Sequence, residues 1–192
     1  MKKLISRLYL GLVFIFLYAP IFVLIAYSFN ESKSRAHWTG FSLKWYERLF
    51  QDDDIIKALL ASLLVAVIAS VCATLLGTAA AVGISNMRKL PRSVMINVTY
   101  LPVINPEIVM GVSLMLLFLF FENTFGLMRG MFTVLVAHIT FSLPYVILNI
   151  LPKLRQMDQN LFEAAQDLGC TPMQAFRKVV IPEIMPGIFS GF

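Results

Sequence analysis

Long apolar stretches that carry no charged side chain dominate the chain. Three of them occupy residues 8–29, 58–87 and 130–152, and a fourth, residues 93–121, is interrupted only by Glu107. A transmembrane helix needs about 20 apolar residues, and each of these four stretches is long enough. The pattern therefore predicts an all-α fold, a polytopic transmembrane helix bundle with four full spans.

The third stretch contains two prolines and one acid in its middle. Pro102 and Pro106 interrupt helical hydrogen bonding, and Glu107 follows directly. Neither half reaches about 20 uncharged residues by itself. We therefore predict one span, residues 93–121, that is broken at the two prolines.

A fifth apolar run begins near the end of the sequence, at residue 184. Its nine residues would rise only about 13 Å, against a hydrocarbon core of about 30 Å. The sequence predicts a partial span over residues 183–192, within a single transmembrane domain, residues 1–192, that is incomplete at its C-terminus.

Composition and charge narrow the functional class. The chain is 58% hydrophobic and 14% charged, which is too apolar for an ordinary soluble domain and leaves no room for a separate catalytic one. The net charge of +5 comes from basic clusters beside apolar runs, which favours contact with membrane lipid over nucleic acid. No nucleophile–base pair, phosphate-binding loop or metal-binding cluster is present in the sequence, so we expect neither an enzyme nor a bound cofactor.

The basic clusters also predict orientation. They lie in the N-terminal tail, in residues 88–92, and after residue 152. All three clusters fall on one side of the membrane if the N-terminus is cytoplasmic, as the positive-inside rule requires. We therefore expect a multi-pass protein of the cell membrane with its N-terminus inside.

Residues 153–182 form the polar segment that follows the fourth span. Asp158 or Asn160 is suited to cap a short helix, Gly169 to end it, and Thr171 with Gln174 to open a second helix. The first helix is predicted to carry an apolar face that binds a protein partner. This face comprises Leu161, Phe162, Ala165 and Leu168.

The same segment resembles the EAA loop of permeases from ATP-binding cassette (ABC) importers. Glu163, Ala164 and Ala165 are followed by Gly169 and then, after nine intervening residues, by Val-Val-Ile-Pro at 179–182. The resemblance implies the type I importer permease fold and makes Glu163, Ala164, Ala165 and Gly169 the candidate contacts to an ATPase subunit. The alternative is an ordinary capped pair of interfacial helices.

Three further segments are similar to the second permease subunit of spermidine/putrescine importers: residues 27–30, 41–46 and 106–110. This resemblance implies a polyamine permease that works with a second permease subunit, an ABC ATPase dimer that binds the ATP, and an extracytoplasmic solute-binding protein. That family carries two further spans. The alternatives are a truncated, transport-inactive membrane subunit and a permease for another small solute.

Three residues are candidates for the substrate path. Glu107 lies about 21 Å along the helix from Ser93, where an intramembrane acid could bind an ammonium group. The alternatives are an acid at the membrane interface and an ion pair with Arg129. Trp45 and Tyr46 would stack on a polyamine, or else belong to an interfacial aromatic belt. His138 is expected to make a hydrogen bond between helices.

Two stripes of small residues follow the second span with a four-residue period. Such stripes let helix backbones approach closely, which is how helices associate within lipid. They predict a packed bundle; the first comprises Ser62, Ala66, Ser70, Thr74 and Thr78, and the second Ala69, Ala73, Gly77 and Ala81.

Overall fold

The computed structural model describes residues 2–33, 37–126, 128–158 and 160–192, with side chains from residue 6 onward. The predicted all-α fold is confirmed, since the described residues hold helices and one isolated bridge, between Asn30 and Phe41, but no strand. The helices are α1 (Lys2–Ser28), α2 (Lys44–Gln51), α3 (Asp53–Ser85), α4 (Lys89–Ile104), α5 (Glu107–Phe125), α6 (Met131–Gln156), α7 (Asn160–Asp167), α8 (Pro172–Ala175) and α9 (Ile181–Gly191), with a π-helical segment, Phe176–Val180, between α8 and α9.

Four helices are long and apolar enough to cross a membrane, and they make this a multi-pass membrane protein. They correspond to α1 from Ser6 onward, α3, α5 and α6. Local signals set several of their ends. Asp52 caps α3 because its Oδ1 accepts the backbone N–H groups of Asp54 and Ile55, at 3.1 and 3.2 Å. Gly126 ends α5 in a left-handed conformation, with φ of +69°.

The break in the third predicted span lies at one of the two prolines. Pro102 is inside α4, and the helix continues to Ile104 before the chain turns at Asn105 and Pro106. The prediction that neither half is long enough is wrong for the second half. Glu122 and Asn123 continue the helix to Phe125, so α5 qualifies as a span by itself.

The chain divides into two compact units, residues 1–60 and residues 61–192. In the first unit, Asn30 organises the loop after α1. Its side chain is 1% exposed; Nδ2 donates to the carbonyl of His37 at 2.7 Å, and Oδ1 accepts the Thr39 N–H at 2.9 Å. A buried amide that satisfies several backbone groups fixes the loop geometry.

The core of the second unit is centred on α6. Its buried residues Val146, Ile147 and Ile150 pack with residues of α3, the π-helical segment and α9. The remaining members of this core are Ala73, Ala81, Ile84, Leu151, Leu154, Val180 and Ile184. One side of α6 therefore links the apolar spans to the polar segment that follows.

Close backbone approach explains why α3 presents small residues. The second small-residue stripe, Ala69, Ala73, Gly77 and Ala81, is buried, whereas Ser62 and Ala66 of the first stripe are exposed. A Cβ on Gly77 would lie 2.6 Å from Cγ1 of Val146, so only glycine fits there. A Cβ on Gly191 would lie 3.1 Å from Cα of Val146 as well. The two helices α3 and α9 thus both approach α6 at Val146.

Candidate functional site

The segment that resembles an EAA loop begins with the short helix α7. Asp158 caps it, because its Oδ1 accepts the Asn160 N–H at 3.0 Å. The helix ends at Gly169, whose φ of +87° is left-handed and whose N–H donates to the carbonyl of Gln166 at 2.8 Å. The predicted cap and the predicted glycine turn are both confirmed. Together they give the segment a sharp reversal after Asp167.

A capping box starts the next helix, as predicted. The Thr171 N–H donates to Oε1 of Gln174 at 3.0 Å, and the Gln174 N–H donates to Oγ1 of Thr171 at 3.4 Å. This second helix is not a separate short one. It continues without a break from Pro172 through the π-helical segment to Gly191, so it includes nearly all of the partial span predicted over residues 183–192.

The predicted apolar face of α7 is divided between two environments. Phe162 is half-buried and packs against the core around α6, and Ala165 is half-buried as well. Leu161 and Leu168 are instead 47% and 87% exposed, and Ala164 between them is also exposed. The predicted face spans a wide arc of the helix, so one edge packs inward while the other stays uncovered. We call Leu161, Ala164 and Leu168 the outer stripe.

Glu163 lies beside a cavity of about 470 Å³. The polar part of the lining includes Arg92 from the first turn of α4 and Arg155 from the last turn of α6. The rest is Val82, Ser85, Asn86, Leu154, Met157, Phe162, Phe176 and Val180. From the sequence, these two arginines served only as topology signals, and their position in one cavity was missed. The three basic residues within 88–92 were the only sequence signal for this cavity.

Glu107 occupies an exposed position in the first turn of α5. None of the three cavities defined in the described residues has Glu107 in its lining. The alternative pairing with Arg129 is not what the structure has, since Arg129 pairs with Glu122 at the other end of α5. Glu107 does follow the break at Pro106, as the sequence predicted, so its role in a substrate path stays a prediction.

Trp45 and Tyr46 are part of the first unit's loop architecture. The indole N–H of Trp45 donates to the Asn30 carbonyl at 2.9 Å, and the Tyr46 hydroxyl lies 2.7 Å from Oγ of Ser28. Two cations already lie near the Trp45 ring, with Lys44 Nζ and Arg48 Cζ 5.4 and 5.3 Å from its centroid. An external ammonium group would have to compete with these two side chains.

His138 lines a third cavity, between α5 and α6, together with Arg129 and Phe118. Its Nδ1 lies 2.8 Å from the carbonyl oxygen of Val134, one turn earlier on α6. The hydrogen bond that the structure gives His138 therefore lies within α6, and not between helices as predicted. In the described part of the chain, no group of three or more His, Cys, Asp or Glu side chains is placed to hold a metal ion.

Comparisons with known proteins converge on one family. Residues 73–192 match the family described as "Binding-protein-dependent transport system inner membrane component". The chain is 35% identical, over 96% of its length, to the spermidine/putrescine transport system permease protein PotC of Haemophilus influenzae, and covers 70% of that protein. It is 41% identical, over 93% of its length, to the putrescine transport system permease protein PotI of Escherichia coli K12, and covers 65% of it.

A third relative, PotC of Escherichia coli K12, is 33% identical over 99% of the chain, and the chain covers 70% of it. The chain thus spans 65–70% of the length of these three relatives. These matches confirm the resemblance that the sequence predicted, and the family is one of transport components rather than enzymes.

Proposed function

The chain belongs to the family of binding-protein-dependent transport system inner membrane components, and from that membership we propose that it is a permease subunit of an ATP-driven polyamine importer. Its spans contribute to the translocation path, and the segment from Asn160 to Gly169 couples them to an ATPase subunit. The names of the relatives, which transport putrescine or spermidine, support the substrate class.

The single observation that carries the coupling role is the outer stripe of α7. Apolar side chains on a helix too short and polar to enter lipid are suited to a protein partner. The inner side of the same helix is anchored, because Phe162 packs against the core that holds α6 and α9. A partner that binds the outer stripe is thereby connected to the spans through one rigid packing unit.

The mechanism follows from that connection. An ATPase pair that closes on ATP and reopens after hydrolysis would displace α7, and Phe162 would transmit the displacement to the core around Ile150. The outcome is alternating access to a path between spans. ATP is bound by the partner subunit, and α7 of this chain transmits the resulting motion to the spans.

A second permease subunit, an ATPase dimer and an extracytoplasmic solute-binding protein assemble with this chain, and its N-terminus is cytoplasmic. One structural observation supports the orientation: Arg92 and Arg155, from two separate basic clusters, line the same cavity, so these clusters lie at one end of the second unit.

Co-purification of the full chain with the ATPase tests the coupling role. We expect Leu168→Glu to abolish co-purification, because it places a charge in the apolar surface formed by the outer stripe. Met128→Glu is the matched control: Met128 is 86% exposed, against 87% for Leu168, but lies in the connection between α5 and α6. Equal retention of the ATPase by both variants, measured on monodisperse protein, would refute the assignment.

Uptake of labelled putrescine by the complete importer tests the substrate path. Glu107→Gln should reduce uptake while Glu47→Gln, an exposed acid on α2, should not. Unchanged uptake in Glu107→Gln would remove Glu107 from the path without affecting the coupling role.

A further inference from the structure

The cavity beside Glu163 lies at the level where two membrane-crossing helices end. Its lining includes Ser85, the last residue of α3, and Leu154 and Arg155 from the last turn of α6. Arg92 comes from the first turn of α4. Both α3 and α6 are apolar enough to span, so their common end marks the boundary between hydrocarbon and headgroups. The cavity therefore opens at the depth of lipid phosphates.

In the residues that the structure describes, Arg92 lacks a hydrogen-bond acceptor for one of its guanidinium nitrogens in this cavity. Its Nε is buried and has no hydrogen-bond partner within the described part of the chain. Glu163 lines the same cavity, yet no ion pair joins it to Arg92 or Arg155 among the described residues. A buried guanidinium nitrogen without an acceptor is costly, so the site favours an anion that reaches it.

The chemistry of the lining selects the class of anion. Two guanidinium groups present planar, multidentate donors that match the oxygens of a phosphate. The first turn of α4 adds the positive end of a helix dipole. Basic cavities between transmembrane helices at the interface are known to accept anionic headgroups.

The apolar part of the lining points to a lipid rather than to a free ion. Val82, Phe162 and Phe176 lie in the same cavity as the two arginines. A volume of about 470 Å³ falls in the range of small-molecule sites, about 300–1,000 Å³, and exceeds what a bare phosphate needs. Glycerol carbons and the first methylenes of an acyl chain would cover these side chains.

We infer that this cavity binds the phosphate headgroup of an anionic phospholipid, with Arg92 and Arg155 as the phosphate ligands. Glu163 is the competing charge, because its carboxylate borders the same cavity and repels an anionic headgroup. The inference requires only that the chain is embedded in a membrane. It holds or fails independently of the polyamine substrate and of the ATPase.

The test measures lipid binding to the purified full chain by native mass spectrometry, with phosphatidylglycerol as the probe and phosphatidylcholine as the reference. We expect Arg92→Gln to weaken phosphatidylglycerol binding about tenfold, the factor that follows from losing a hydrogen bond to a charged group. Arg155→Gln should act in the same direction. Arg177→Gln is the control, because this exposed arginine is close in sequence to the cavity residue Phe176 but is not in the lining.

Further arms separate the sources of the anion. Glu163→Gln should tighten phosphatidylglycerol binding because it removes the competing carboxylate; unchanged or weaker binding would contradict the arrangement. Glycerol 3-phosphate added at millimolar concentration should not compete with phosphatidylglycerol for the cavity. It should also leave the weaker lipid binding of Arg92→Gln unchanged. Competition by this soluble compound would show a site for free phosphate instead. If Arg92→Gln leaves lipid binding unchanged but loses co-purification with the ATPase, an acidic protein partner occupies the cavity instead of a lipid.

Discussion

Replacing Gly77 by alanine probes the closest contact between α3 and α6. The added Cβ would lie 2.6 Å from Cγ1 and 2.8 Å from Cβ of Val146. Carbon atoms in ordinary contact are about 3.5–4.0 Å apart, so the helices would have to separate by about 1 Å. Val146 has no room to yield, because it is 1% exposed and Gly191 of α9 packs closely against its Cα.

Two opposing terms set the size of the effect. Overpacking a well-packed interior costs about 1–3 kcal/mol, whereas alanine is preferred over glycine inside a helix by about 1 kcal/mol. The net expectation is a destabilisation of up to about 2 kcal/mol, which is up to roughly a thirtyfold change in the unfolding equilibrium.

Gly83→Ala on the same helix is the matched control. Nothing lies within 4 Å of a Cβ at Gly83, so this substitution should gain the helix preference without a steric cost. Unfolding of the purified chain in mixed micelles, titrated with SDS and followed by far-UV circular dichroism, measures both variants. If Gly77→Ala is as stable as Gly83→Ala, the close packing of α3 on α6 is wrong.

Three further substitutions test local structure. Gly169→Ala should destabilise the turn after α7 by about 1–2 kcal/mol, because φ of +87° strains any L side chain, and faster proteolysis there would report it. Thr171→Ala should cost about 1 kcal/mol through loss of the capping box, seen as faster amide exchange at Gln174, while Thr171→Ser should not. Asn30→Ala removes three side-chain hydrogen bonds to His37 and Thr39 and should cost about 2–4 kcal/mol, measured as earlier proteolytic cleavage of that loop.

Much of the local structure follows from the sequence because its causes lie within a few residues. The length of an uncharged run predicts a span, and the four membrane-crossing helices follow from that length. Asp158, Gly169 and Thr171 act on backbone groups at most four residues away, so their positions predict the start of α7, the turn after it and the start of the next helix. The break beside Pro106 has the same local origin.

The candidate site was less predictable because it depends on contacts between distant segments. Residues 92, 155 and 163 are separated by up to 71 positions, yet they border one cavity. The pattern of α7 indicated an apolar face, but only the packing of Phe162 against the core determined which edge remained uncovered. Trp45 was a candidate for binding cations, and the fold placed the chain's own Lys44 and Arg48 beside it.

The amino-acid pattern alone predicts a multi-span helical membrane protein with a capped polar helix pair after its last predicted full span. Run length, capping residues and glycines act locally, so they predict helices in any context. The close approach of Gly77 to Val146, and the shared cavity of Arg92, Arg155 and Glu163, are visible only in the three-dimensional packing. Those outcomes depend on how side chains from separate helices fill space together, and a one-dimensional pattern does not contain that information.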